Sequence, residues 1–150
     1  MFLKTQLEMA VAVFNTRSVQ GEVVFTERKS GVHIEATFIK LSGLHGFHIH
    51  KAGDLRGEGC KLACDHYHVG PPQTHGGPPQ RKGQRHTGDL GNVTEGTYTF
   101  ILKGIHVEDL WGRSVIIHAD EDDLGLGGKE DSLTTGHSGK RIACAVIGRV

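Results

Sequence analysis

The chain has 150 residues, a length typical of one domain, and its 17 basic residues balance its 17 acidic residues. Without net charge, the protein has no general attraction for nucleic acid or for an anionic membrane surface. Hydrophobic residues at 37% exclude a disordered chain, 22 glycines predict many turns and few long helices, and the excess of histidines, 11 in all, indicates metal binding.

The N-terminal segment carries Lys4 and Glu8 inside its apolar stretch, which argues against a secretory signal. No segment reaches the roughly 18 consecutive apolar residues of a membrane-spanning helix. We therefore expect a cytoplasmic protein that binds neither membrane nor nucleic acid. The chain has three cysteines, which is an odd number. In a chain that is expected to lack a secretory signal, they predict free thiols or metal ligands rather than a disulfide framework.

Short apolar or alternating segments between turn residues predict about eight β-strands and no convincing helix. Residues 32–38 alternate apolar and polar side chains, and the phase then slips to Ile39, which predicts a bulge. The set indicates an all-β antiparallel sandwich or barrel. The predicted strands are residues 9–14, 20–26, 32–38, 47–50, 91–94, 97–102, 114–119 and 141–147.

Two long segments, residues 51–89 and 120–140, have no strand pattern. The first contains all four prolines together with two cysteines and four histidines, and the second begins with a dense acidic run. Structureless segments of this length in a compact domain are usually functional or disordered. Metal and disulfide anchors are the simpler explanation for the first segment.

Histidines form the pattern that carries chemistry. His48 and His50 occupy alternate positions of a predicted strand, so both imidazoles project from one face. His118 closes a later apolar strand, and the long segment adds His66, His75, His86 and Asp89. Three or four imidazoles with one carboxylate suit zinc, and an all-imidazole set suits copper or zinc. The other five are expected to be structural or surface residues, namely His33, His45, His68, His106 and His137.

Several motifs resemble those of copper/zinc superoxide dismutases in order and approximate spacing: GLHGFHIH (43–50), HGGP (75–78), GDLGN (88–92), HADEDDLG (118–125) and GKRIACAVIG (139–148). The resemblance runs from about residue 9 to residue 147. It implies an eight-stranded antiparallel Greek-key β-sandwich or barrel with two long functional loops, a zinc/disulfide loop and an electrostatic loop. We expect a single domain over residues 1–150, with residues 1–8 as an N-terminal extension.

The resemblance also implies a ligand set. Copper is expected at His48, His50, His66 and His118, and zinc at His66, His75, His86 and Asp89, so that His66 bridges both ions. Asp122 matches a carboxylate that hydrogen-bonds one ligand of each ion and thereby fixes their rings. Arg141 matches an arginine that attracts and orients a small anion beside copper. Thr135 matches a residue that narrows the channel, and Cys60 and Cys144 match an intramolecular disulfide.

The implied activity is that of an oxidoreductase of antioxidant defence, which dismutes superoxide to oxygen and hydrogen peroxide. A catalytically inactive metal-binding relative is the main alternative; a zinc hydrolase and an immunoglobulin-like adhesion module explain less of the pattern. The resemblance further implies a homodimer, although Ala52, Trp111 and Arg149 depart from the usual residues at the contact positions.

Other departures alter specific expectations. Asp120 and Thr134 stand where many relatives carry lysines, so we expect weaker electrostatic steering of the anion. His68 stands where the usual family pattern has asparagine, which places a possible extra metal ligand two residues from His66. Cys64 is left as an unpaired thiol or as an alternative partner for Cys144. In relatives, a proline near the second cysteine ties activation to a dedicated copper chaperone. Lys140 and Ile142 stand there in this chain, so the resemblance implies a copper chaperone as a possible partner that is not necessarily required.

Overall fold

The computed structural model describes residues 8–150, and their regular structure is almost entirely β. The predicted extension at residues 1–8 lies, apart from Glu8, outside the described residues. Strands β1–β8 agree with the prediction, and only the two-residue β9 was not expected. The strands of the described part are β1 (Met9–Asn15), β2 (Gln20–Arg28), β3 (Gly31–Lys40), β4 (His45–His50), β5 (Asp89–Val93), β6 (Gly96–Leu102), β7 (Ser114–His118), β8 (Arg141–Val146) and β9 (Gly148–Arg149).

Two antiparallel sheets form the architecture. One has the strand order β6-β3-β2-β1-β9 and the other the order β5-β4-β7-β8. Because β6 pairs with β3 and β7 pairs with β4, the chain crosses repeatedly between the sheets, as in Greek-key connectivity. The predicted all-β antiparallel fold is therefore confirmed.

The predicted bulge lies at the end of β3. Gly21 pairs with Phe38 and Gln20 pairs with Lys40, so Ile39 is an extra residue without a partner in the ladder. Its side chain is 67% exposed, whereas Phe38 is buried in the core. A Cβ on Gly21 would lie 2.4 Å from the carbonyl oxygen of Thr37, so this close approach of the two strands requires glycine.

Within residues 8–150, three short helical segments lie outside the sheets: the helix α1 (Ser132–Thr135) and 3₁₀ turns at Lys61–Ala63 and Val107–Leu110. The expectation of no convincing helix holds apart from α1, a single turn that ends at Gly136 and is too short to show helical periodicity. None of the helices in residues 8–150 has the length and apolar character needed to cross a bilayer. The cytoplasmic location stays a prediction.

Candidate metal centre

Strand β4 presents different chemistry on its two faces. Phe47 and Ile49 are fully buried in the apolar core, and His48 and His50 alternate with them on the other face. Both imidazoles are also buried, because the two long loops cover this side of the sheet. The two loops are hydrogen-bonded to each other beside these imidazoles, since the main-chain N–H of His75 in the first loop donates to the carbonyl of Leu133 in the second.

Four imidazoles converge in a first group. Ring nitrogens of His48, His50, His66 and His118 lie within 4.8 Å of one another. Because β7 pairs with β4, the Nε2 of His118 lies 3.4 Å from the Nε2 of His50. His66 belongs to the first long loop and is held against β4 by an isolated β-bridge to His50. The tertiary structure thus brings together residues that are up to 70 positions apart.

A second group contains His48, His66, His75 and Asp89, whose ligand atoms also lie within 4.8 Å of one another. Asp89 Oδ1 is 2.9 Å from His66 Nδ1 and 3.0 Å from His75 Nδ1. This set differs from the predicted one, which has His86 in place of His48. His86 is nevertheless adjacent, since its Nδ1 lies 3.5 Å from the other carboxylate oxygen of Asp89.

Unpaired nitrogens identify the atoms that face a ligand. Among the described residues, the buried His48 Nδ1, His66 Nε2 and His86 Nδ1 have no hydrogen-bond partner. Buried polar atoms are nearly always paired, so three unpaired imidazole nitrogens in one cluster are the pattern expected of metal ligands. The Nδ1 of His66 faces Asp89 in the second group, and its unpaired Nε2 is available to the first group. The residues present fit two metal ions.

The electrostatics of the two groups differ. Burial, followed by repulsion from His66, lowers the pKa of His48 and His50, and burial lowers the pKa of His118 to about 4. These rings are therefore neutral near pH 7 and keep a lone pair for a metal ion. Burial opposes the charge of Asp89, but hydrogen bonds from the surrounding imidazoles hold the pKa of its carboxyl far below the usual range.

Asp122 connects the two groups. The His48 Nε2–H donates to Asp122 Oδ2 at 2.5 Å, and the His75 Nε2–H donates to Asp122 Oδ1 at 2.8 Å. Each ring is thereby turned so that its Nδ1 faces the centre. Burial opposes a charge on His75, but hydrogen bonds to Asp122 and Asp89 raise its pKa to about 9. Asn92 holds Asp122 in place by two hydrogen bonds to its main chain, at 2.7 and 2.9 Å.

A cavity of about 780 Å³ opens onto the first group, and its lining includes Arg141 and Thr135. The guanidinium of Arg141 is fixed by two main-chain carbonyls, since Nη1 donates to Cys60 at 2.8 Å and Nη2 donates to Cys64 at 2.6 Å. Thr135 comes from α1 in the other loop. The arrangement places a fixed cation in the wall of a cavity that reaches the imidazoles, which suits a small anion.

Cys60 and Cys144 form a disulfide that joins the first long loop to β8, and Cys64 is free. The disulfide implied by the family resemblance is therefore confirmed, and the free thiols or metal ligands expected from the odd cysteine count alone are wrong for two of the three cysteines. The count does not reveal that β8 packs beside this loop. Cys64 is not the partner of Cys144 in this structure.

Comparison with known proteins identifies the family. The family model described as copper/zinc superoxide dismutase (SODC) matches residues 19–147. The chain belongs to this family. A superoxide dismutase (Cu-Zn) of Paramecium bursaria Chlorella virus 1 is 46% identical, over 87% of this chain and 73% of the relative. The crystal structure of the clock protein EA4 matches with a TM-score of 0.84 and 34% identity, over 100% of this chain and 99% of that one.

Two contributors to the centre of this copper/zinc superoxide dismutase family member were missed by sequence reasoning. Asn92 lies in the GDLGN motif, so membership of that motif was an available signal. The carbonyl of Cys64, which accepts a hydrogen bond from His50 Nδ1 at 2.8 Å, has no sequence signal because any residue carries a carbonyl. The five histidines predicted to be structural or surface residues lie outside both groups, namely His33, His45, His68, His106 and His137.

Proposed function

We propose that this chain dismutes superoxide to oxygen and hydrogen peroxide, as an oxidoreductase of antioxidant defence. The observation that carries the proposal is the position of His66, whose ring lies between the all-imidazole group and the group containing Asp89. An all-imidazole set suits copper or zinc, and a set with one carboxylate suits zinc, so copper is assigned to the first group and zinc to the second, as in the family. The copper ligands are His48, His50, His66 and His118, and the zinc ligands are His66, His75, His86 and Asp89.

His86, rather than His48, completes the zinc set. The Nε2 of His48 is committed to Asp122, so only its Nδ1 remains and it can serve one ion. The Nδ1 of His86 is buried, unpaired and close to Asp89. This division gives each ion four ligands, with His66 as the shared one.

The chemistry follows from the residues around the first group. Copper held by the first group would supply the one-electron redox chemistry that dismutation requires, whereas zinc would supply none. Arg141 stays charged at neutral pH and orients the anion in the cavity. Formation of hydrogen peroxide consumes two protons, and the unpaired Nε2 of His66 is an atom that can hold one and return it. Thr135 narrows the cavity opposite Arg141.

A catalytically inactive metal-binding relative is the alternative function. It would be favoured by the loss of a copper-site histidine or of the arginine. All of these residues are present, and Arg141 lines the same cavity as His50, His66 and His118. The active enzyme is therefore the better-supported function.

We also propose a homodimer, formed through the outer face of β1 and the adjoining end of β8. Val13 and Val146 are 58% and 41% exposed on this surface. Arg149 lies over the ring of Trp111, with its guanidinium carbon 5.0 Å from the ring centroid. This stacking gives the arginine an aromatic partner within its own chain, which reduces the cost of placing it in an apolar interface.

Copper loading without a dedicated chaperone remains part of the proposal. It rests on the absence of proline at Lys140 and Ile142, next to Arg141. Protein expressed in a host that lacks the chaperone should become active once copper is supplied. Inactive protein that holds a full complement of zinc would contradict this.

The central test combines metal analysis with a superoxide assay on protein stripped of metal and reloaded with copper and zinc. We expect equal amounts of the two metals and rapid decay of superoxide. His118→Ala should lose copper and activity, whereas His33→Ala, which removes a histidine outside both groups, should keep both. A fully loaded protein that, with a chelator present to bind free copper, leaves superoxide decay at its spontaneous rate would reject the proposed function.

A further inference from the structure

His68 lies two residues after His66, yet it belongs to neither metal-binding group. Both of its ring nitrogens are hydrogen-bonded. Nδ1 accepts the main-chain N–H of Thr87 at 3.2 Å, and Nε2 lies 2.7 Å from the carbonyl oxygen of Pro71. Because a carbonyl only accepts, Nε2 carries the proton and donates it. The ring therefore has no lone pair left for a metal ion.

Thr87, the hydrogen-bond partner of His68, lies in the chain between two proposed zinc ligands, His86 and Asp89. The Thr87 hydroxyl accepts the main-chain N–H of Val69 at 3.1 Å and lies 3.4 Å from His68 Nδ1. Segment 66–69 and segment 86–89 are thus joined side by side through the side chains of His68 and Thr87. We name this pair of contacts the His68–Thr87 clasp.

We propose that His68 is a positioning residue for the zinc half of the centre. The clasp joins the segment that carries His66 to the segment that carries His86 and Asp89, so it sets the spacing of three of the four zinc ligands. The ring of His68 also packs edge-to-face against the ring of His86, with centroids 5.5 Å apart. The inference rests on the proposed function, because that function assigns zinc to these residues.

Other contacts hold the same segments and limit the expected effect. The Gly88 N–H donates to the Tyr67 carbonyl at 2.9 Å, so the main chain stays joined when the side chain of His68 is removed. We therefore expect loss of His68 to change metal affinity more than folding. Removing a partner that orients metal ligands typically weakens metal binding by about 10- to 100-fold.

The experiment measures the zinc dissociation constant of copper-free protein by chelator competition, and the visible absorption spectrum of Co²⁺ bound in place of zinc. His68→Ala should bind zinc about tenfold more weakly and should change the Co²⁺ spectrum. His68→Asn should recover part of the affinity, because its side-chain oxygen can accept the Thr87 N–H although the side chain is too short to reach Pro71. His33→Ala, the matched control, should leave both readouts unchanged.

A double-mutant cycle tests whether the clasp acts as one unit. Thr87→Val removes the hydroxyl contacts, and the variant that combines it with His68→Ala should lose less affinity than the sum of the two single losses. Additive losses, or wild-type affinity and spectrum in His68→Ala, would overturn the proposal. The midpoint of thermal unfolding of each metal-free variant shows whether a loss of zinc affinity arises from a loss of folding. A fall in stability that matches the fall in zinc affinity would count against a positioning role for His68.

Two further results are decisive. If His68→Ala does not fold, then wild-type affinity in both His68→Asn and Thr87→Val overturns the inference. Wild-type protein that binds no zinc rejects the proposed function together with the inference, whereas a normal wild-type site that is insensitive to His68 rejects the inference alone.

Discussion

At the residue scale, the backbone of Cys64 is unusual. Its φ of 66° and ψ of −152° lie in a region that essentially only glycine occupies without strain. The Cys64 carbonyl accepts hydrogen bonds from His50 Nδ1 and from Arg141 Nη2. One carbonyl thus orients both a ligand of the first group and the arginine of the cavity wall. These two hydrogen bonds favour the strained conformation.

Replacement of Cys64 by glycine should stabilise the protein. Backbone strain of about 1–3 kcal/mol is relieved, and the greater freedom of glycine in the unfolded chain offsets about 0.4–1 kcal/mol. We expect a net gain of about 1 kcal/mol, which raises the midpoint of thermal unfolding of the metal-free, disulfide-bonded protein by about 3 °C. Cys64→Ala is the control, because it removes the thiol and keeps the Cβ. Equal midpoints for the two variants would show that the backbone is not strained.

At the scale of elements, the disulfide couples the first long loop to β8. Cys60 and Cys144 are 84 positions apart, and the carbonyl of Cys60 binds Arg141, which begins β8. In the chain-entropy model, a crosslink across a loop of this length stabilises the fold by roughly 4–5 kcal/mol. The bond therefore acts on overall stability and on the position of the arginine.

The double variant Cys60→Ser with Cys144→Ser should lower the unfolding free energy of the metal-free protein by about 4 kcal/mol. Urea titration measures this loss. The metal-loaded variant should also dismute superoxide more slowly at unchanged copper content, because Arg141 is held less firmly. Cys64→Ser keeps the disulfide and should show no slowing. A loss below about 1 kcal/mol would mean that packing alone fixes the loop.

The strands could be predicted from the periodicity of apolar residues in the sequence, and the helix α1 could not. Strands alternate over five or more residues, so their periodicity is readable, whereas the single turn Ser132–Thr135 is not. The β-bulge was readable because Ile39 breaks the alternation of β3. Strands are predictable because side chains alternate in direction over many residues. Short helical turns in loops are not predictable from the sequence pattern, because they depend on the residues against which they pack.

At the scale of the whole molecule, charge determines how the substrate approaches. The chain has no net charge, and Thr134, where the family resemblance leads us to expect a lysine, lines the cavity. We expect the rate constant for superoxide to fall only weakly as ionic strength rises. Pulse radiolysis over a salt series measures this. A steep fall in the wild-type protein would contradict weak steering.

Restoring a cation should restore steering. Thr134→Lys should raise the rate constant at low ionic strength and make it fall more steeply with added salt. Thr99→Lys adds the same charge on an exposed position of β6 and serves as the matched control. Equal effects of the two variants would show that total charge matters, and not charge at the cavity.

Assembly is the second property of the whole molecule. Wild-type protein should sediment as a dimer at micromolar concentration, and Val13→Glu should shift it to the monomer, because a buried unpaired carboxylate is costly. Ile39→Glu changes a similarly exposed apolar residue on the bulge of β3, 67% exposed against 58% for Val13, and should leave the dimer intact. Wild-type protein that remains monomeric at high micromolar concentration would exclude the homodimer.

The amino-acid sequence by itself determined the β-strands, the two long loops and the identity of the candidate ligands, because alternation sets side-chain direction and only certain residue types bind metals. The tertiary structure decided which of these residues meet: the bridge from His50 to His66, the pairing of Cys60 with Cys144, and the separation of His68 from the ligands. Local patterns carry no information on distances between segments, which depend on how the two sheets and the loops pack.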